Sequence, residues 1–158
     1  MRKQIIGQPH PKVPNVQRPP VNLEELARVE VTSEDPAHPI ESALSGHRAI
    51  GWRAEGPGQQ TIRLVFDDPQ KISRISLVFR EEEHERTQEF VLRWSSHDAQ
   101  SPREIVRQQY NFSPPGTILE QEDYDVALDR VQSLELMINP DISGGSARAS
   151  LERLDLVS

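Results

Sequence analysis

The side chains that could do chemistry are scattered along this chain. Five histidines, His10, His38, His47, His84 and His97, are spaced too widely to form a zinc set, and no cysteine supports them. The lack of cysteine also excludes disulfides and thiolate chemistry. Asp67-Asp68 is a carboxylate pair, but Pro69 follows and the trio reads as a turn. There is no HExxH, GxSxG or Walker loop, and "SGGS" from Ser143 to Ser146 is only a flexible turn. These absences point away from an enzyme and from any bound cofactor. The densest polar run is "REEEHERT", Arg80 to Thr87. A run of this kind reads first as a solvated hairpin turn. Its other chemistry is recognition, because planar charged side chains can fork onto hydroxyl groups. Asn111-Phe112-Ser113 fits a glycosylation sequon, which is set aside because Pro114 follows and no export signal precedes it.

The bulk composition narrows the partners. A net charge of -7 disfavours nonspecific binding to nucleic acid or anionic lipid, since both need a basic surface. The apolar run near the N-terminus is only Ile5-Ile6, too short for a signal peptide, and no stretch is long enough to cross a membrane. The expectation is a soluble, cytoplasmic protein. Its 158 residues make one domain, and a chain of that size buries roughly 70% of its unfolded surface. Pro9, Pro11, Pro14, Pro19 and Pro20 mark residues 1–21 as an extended, flexible tail. The domain then occupies residues 22–158, with Asn22 capping a helical turn from Leu23 to Ala27.

Strands must position any site. Ile62, Leu64 and Phe66 alternate with Arg63 and Val65; Ile75, Leu77 and Phe79 alternate with Arg74, Ser76 and Val78. Phe90, Leu92 and Trp94 repeat the pattern, as do Leu134, Leu136 and Ile138, and then Leu154 and Leu156. Period-two alternation places each apolar set on one face of a sheet. Turn signals separate the runs at Asp67 to Pro69, His97 to Pro102, Pro114 to Gly116, Asn139 to Asp141 and Gly144-Gly145. Many short strands with regular turns imply an all-β antiparallel sandwich with little helix. Trp94 reads as core, and Trp52 as a packed residue ahead of a strand. "IVRQQYNFSPPG", Ile105 to Gly116, is less transparent; packing of Tyr110 and Phe112 on the sandwich edge is favoured over exposure.

The order of these runs resembles the discoidin, or coagulation-factor type C, family, whose fold is the galactose-binding-like jelly-roll sandwich. "VEVTSEDPAHPIESALSG" resembles its opening strand and first loop. "AIGWRAEGPGQQTIRLVFDDPQKISRISLVF" resembles its Trp-containing turn and next two strands, "EFVLRWSSHDAQ" its aromatic strand, and "LERLDLV" its closing strand. The likeness runs from about Val29 to Leu156. It implies non-catalytic binding through loops at one end of the sandwich, here Asp35 to Pro39, Arg53 to Gln59 and Arg80 to Thr87, with a contribution from Ile142 to Arg148. Sugar-binding relatives often hold a structural Ca²⁺ beneath these loops. Here Ser45-Gly46-His47-Arg48 stands at that turn and Arg153 about where a closing Glu would fall, so no metal is expected.

Loop chemistry must choose the ligand, since the fold does not. Glu81, Glu82, Glu83 and Glu85 cannot enter a bilayer cheaply, which argues against membrane binding. The polar groups suited to a carbohydrate are His38, Arg53, Glu55, Gln59, His84, Glu85 and Arg86. An aromatic platform for the sugar is missing, since only Trp52 stands at the edge of a loop. The leading expectation is a non-catalytic carbohydrate-binding module. The competing one is an intracellular protein–protein interaction module with no sugar ligand.

Overall fold

The computed structural model describes residues 19–44, 50–98 and 101–158. Most of the expected tail therefore lies outside the described residues. Val21 is already attached to the domain: its amide donates to Leu156 O at 2.8 Å and its side chain packs on the core. Asn22 opens helix α1, Leu23–Leu26, without a side-chain capping bond. The helix lasts one turn because Ala27 turns extended and begins β1, Ala27–Val31, while Leu23 is buried beneath.

A second short helix, α2, spans Glu41–Leu44 and buries Ala43 and Leu44. The remaining elements among the described residues are β2 (Trp52–Pro57), β3 (Gln60–Arg80), β4 (Arg86–Ser96), β5 (Arg103–Phe112), β6 (Leu119–Asn139), β7 (Arg148–Leu151) and β8 (Arg153–Val157). The larger sheet runs β1-β3-β6-β4-β5, with β8 also paired to β3; β2 and β7 form a ribbon of their own. Every pairing is antiparallel.

Two strands differ from the sequence reading. Asp67-Asp68-Pro69 is not a turn between strands, because β3 runs through it for 21 residues. The register of β3 on β6 shifts repeatedly between Val65 and Arg74, and bulges bend a strand without ending it. Pro69 is tolerated there because, among the described residues, it stands outside every ladder. The partner strand β6 is equally long, and Arg130, at positive φ, sits where it bends.

The bends fold one hydrogen-bonded sheet into two layers. Residues Gln60 to Phe66 pair with β1 and the second half of β6, which carries β4 on its far side. Residues Arg74 to Arg80 pair with β8 and the first half of β6. Phe79 from one layer stacks on Phe90 from the other at 5.2 Å between ring centroids. Around them the alternating residues named above close the core, with Ile62, Leu64, Ile75, Leu77, Leu136 and Leu156 all buried.

The opaque stretch Ile105 to Gly116 resolves into β5 and a turn closed by Ser113 and Thr117. Phe112 is buried, and half-buried Tyr110 donates its hydroxyl to Leu119 O at 2.7 Å. Trp94 is a correction: it is only partly buried, near the end of β4, with the Arg103 guanidinium 5.3 Å above its ring. Trp52 is fully buried. Among the described residues no helix is long and apolar enough to cross a membrane.

Candidate functional site

One wall of the site is β2. The chain enters it through Gly51 at φ 75°, where an added Cβ would meet Leu151 O at 2.8 Å. Only glycine allows that approach to β7. Alternation then turns Trp52 inward and Arg53 outward. The indole N–H of Trp52 donates to Ser33 O at 3.0 Å, and the Ser33 hydroxyl accepts from the Glu55 amide at 3.0 Å. The loop after β1 is laced to β2 by Asp35 N to Arg53 O (2.8 Å) and Arg53 N to His38 O (3.2 Å). Arg148, from β7, ties the same parts together: its Nε donates to Ala54 O at 2.9 Å and its Nη2 to Asp35 Oδ2 at 3.2 Å. The Ala37 amide and then Arg148 hold the Asp35 carboxyl below the usual carboxylate range.

The facing wall is the turn between β3 and β4. Glu81 shapes it, accepting from the amides of Glu83 (2.9 Å) and His84 (3.1 Å) and from Arg86 Nε (2.7 Å). Burial pushes the Glu81 carboxyl up, but Arg86 and the two amides outweigh it, so its pKa is lowered. The Arg86 side chain is 1% exposed, lies 4.8 Å over the Phe112 ring and donates to Pro140 O at 2.8 Å. Arg80 is held by Glu152 at 2.8 Å.

A polar column continues inward from this turn. Arg86 Nη1 reaches Gln88 Oε1 at 3.3 Å, and Gln88 Nε2 donates to Glu120 Oε1 at 3.1 Å, joining β4 in one layer to β6 in the other. Glu120 is buried, and its carboxyl is pushed up to about 9 by burial first and then by Glu122. Among the described residues Glu120 Oε2 and the Tyr124 hydroxyl have no partner.

Between the walls lie two adjoining hollows, of about 200 and 390 Å³. Arg53, Glu83 and Ser150 border both. His38 and Ile50 belong to the smaller one. His84, Ser146 and Arg148 belong to the larger. Arg53 is exposed and, among the described residues, its side chain has no hydrogen-bond or ion-pair partner. Glu83 and His84 are likewise exposed.

The structure thus gathers His38, Arg53, His84, Glu85 and Arg86 around one groove. Arg86 contributes as a buried brace rather than as an open donor. Glu55 and Gln59 border neither hollow, and Gln59 Nε2 instead meets Met137 Sδ at 2.9 Å. Sequence reasoning did not single out Ile50 or Ser150, and it named Glu83 and Arg148 only as members of the Arg80–Thr87 and Ile142–Arg148 loops, not as ligand-binding groups. Ile50 escapes a search for aromatic platforms, yet it is an aliphatic wall, 61% exposed. Ser150 is set opposite Arg53 by the β2–β7 pairing, which no local pattern announces.

The supposed calcium turn, Ser45 to Arg48, lies outside the described residues. Near the closing strand, Arg153 Nε donates to Asp155 Oδ2 at 2.8 Å and the preceding Glu152 is engaged by Arg80. A guanidinium and a committed carboxylate do not fit the oxygen set that Ca²⁺ needs. Among the described residues no three acidic or histidine side chains gather to hold a metal.

No family model matches the sequence, and no characterised protein matches it either. Solved structures do. The family 32 carbohydrate-binding module of Clostridium perfringens NanJ, in complex with galactose, superposes with a TM-score of 0.64 at 14% identity, covering 88% of this chain and 98% of its own. The module CpGH89CBM32-5 of Clostridium perfringens, in complex with GalNAc-β-1,3-galactose, gives 0.58 at 16% identity, over 89% of this chain and 100% of its own. The family 32 module of AlyQ, in complex with 4,5-unsaturated mannuronic acid, gives 0.58 at 16% identity, over 84% and 95%. At such identities the likeness is one of fold, and this chain has the discoidin-type, galactose-binding-like β-sandwich.

Proposed function

We propose that this chain is a non-catalytic carbohydrate-binding module whose site is the groove between β2 and the Arg80–Thr87 turn. The observation that carries this reading is Arg53: an exposed guanidinium, unpartnered among the described residues, fixed from behind by a laced loop and bordering both hollows. A fork of N–H donors over a polar concavity suits hydroxyl groups. Exposed Glu83 supplies acceptors, and Ile50 offers the apolar contact that a sugar's C–H face needs. The fold supports the reading, since modules of this shape have been solved with bound galactose and other sugars.

Titration of isotope-labelled protein with galactose, fucose and glucosamine tests it. The amides of Arg53, Glu83 and His84 should shift, and Arg53→Ala should abolish the shifts without altering the folded spectrum. Unmoved amides at millimolar sugar would reject carbohydrate binding.

A second reading, a protein-contact module, draws on Ile50 and Ile142, which are both exposed at this end. It expects capture of a partner that is lost in the double variant Ile50→Ser, Ile142→Ser.

A further inference from the structure

The groove's shape and charge go beyond the choice of sugar over other ligands. We infer that the site takes an uncharged glycan of at least two linked sugar units, laid across Arg53 with one unit in each hollow, and that it discriminates against uronic acids. This rests on the carbohydrate-binding reading above.

The extension follows from the geometry. The two hollows are not separate sites, because Arg53, Glu83 and Ser150 border both. A ligand confined to the smaller would leave the larger, of about 390 Å³, open beside it. The two hollows also differ in chemistry. Ile50, an aliphatic wall with His38 beside it, stands in the smaller only; His84 and Ser146 stand in the larger only, beside Gly144, Gly145 and Ala147. A linked pair of sugars can present a C–H face of one unit to Ile50 and hydroxyls of the other to His84 and Ser146, with Arg53 reaching the units on either side of the linkage.

The charge preference follows from counting what lines the groove. Among the described residues six carboxylates border the two hollows together, Glu81, Glu82, Glu83, Glu85, Asp141 and Glu152. Among the same residues four guanidiniums face them: Arg53, Arg80, Arg86 and Arg148. Three of those four are already engaged, by Glu152, Glu81 and Asp35 respectively. One unengaged guanidinium cannot offset the excess of carboxylates for an incoming anion, and the chain's net charge of -7 adds to the repulsion. A lone exposed arginine would ordinarily argue for an acidic ligand; here its surroundings reverse that preference.

Calorimetric and NMR titrations with galactose, GalNAc-β-1,3-galactose and digalacturonic acid distinguish the outcomes. The neutral disaccharide should bind roughly tenfold more tightly than galactose, the scale of one or two added hydrogen-bonded contacts. It should shift amides of both Ile50 and Ser146. Ile50→Ala, in the smaller hollow only, and Ser146→Gln, in the larger only, should each weaken the disaccharide, while only the variant in the hollow that galactose occupies should weaken galactose. Digalacturonic acid should bind more weakly than the neutral disaccharide, and Glu82→Gln with Glu83→Gln should narrow that gap. Equal affinity for galactose and the disaccharide, or shifts confined to one hollow, would overturn the two-unit site while leaving sugar binding intact. Tighter binding of digalacturonic acid would overturn the charge preference alone. Silence toward all three would instead reject the carbohydrate reading itself.

Discussion

At the scale of single residues, the site is held up by groups committed to one another. Glu81 closes its turn with three hydrogen bonds, one of them to a guanidinium almost sealed from water. Removing one member of a buried ion pair strands the other, which costs more than the pair itself contributes. Glu81→Ala should therefore lower stability by about 3 kcal/mol, read as a shift in the urea midpoint at unchanged slope. Arg86 retains Pro140 O and Gln88, so the fold should survive. This residue pair also shows what a charge run hides. "EEEHER" reads as solvated, and Glu82, Glu83, His84 and Glu85 are exposed, but Glu81 and Arg86 turn inward to clamp the turn. No sequence rule separates the clamping glutamate from its neighbours, because the difference is made by Pro140 and Phe112, residues distant in sequence.

At the scale of elements, strands were legible wherever apolar residues alternate against polar ones. Ile62 to Phe66, Ile75 to Phe79 and Leu134 to Ile138 are strand segments as their pattern requires. The first half of β6 was not legible, because Glu120, Glu122 and Tyr124 occupy its inward face and the expected contrast is lost. The continuity of β3 was hidden for a related reason: Asp67 to Pro69 has the composition of a turn, yet it is an exposed bend between layers. Among the loops, His38, Arg53 and His84 could be placed at the groove because the resemblance located the loops, whereas residues of β7 depended on a pairing between strands about a hundred positions apart. That pairing depends on Gly51. Gly51→Ala would place a Cβ 2.8 Å from Leu151 O and 2.9 Å from Glu152 Cα, at a backbone angle that L residues rarely adopt. The expected loss is roughly 2–3 kcal/mol, combining left-handed strain with displaced backbone. Thermal unfolding would measure it, and weaker sugar binding should accompany it because Arg53 lies two residues on.

At the scale of the whole molecule, stability should depend on pH in two opposite ways. Glu81 has a lowered folded pKa, so its contribution is complete above the ordinary carboxylate range and lost as pH falls through the lowered value. Glu120 has a raised one, so the folded state binds the extra proton between about 4.5 and about 9, and stability declines as pH rises across that window. The titratable and polar groups that act on or feel Glu120 are Gln88, Glu122, Tyr124 and, through Gln88, Arg86. Holding the proton costs on the order of 3 kcal/mol at pH 7 relative to an ordinary carboxyl. Glu120→Gln keeps the shape and the Gln88 contact without that proton. Its unfolding midpoint should stay level from pH 5 to 9 while the wild type falls; parallel curves would show that Glu120 is not the source.

The two long strands that pass through both layers also bear on how the chain is made. β3 cannot complete its pairing until β6 and then β8 exist, since Ile62 meets Leu136 and Ile75 meets Leu156. As the polypeptide leaves the ribosome, the apolar face of β3 must wait uncovered while some eighty further residues are added, longer than any local hairpin would require. The exposed Asp67, Asp68 and Pro69 at its middle then act as gatekeepers, keeping the unpaired strand from adding to a neighbouring nascent chain.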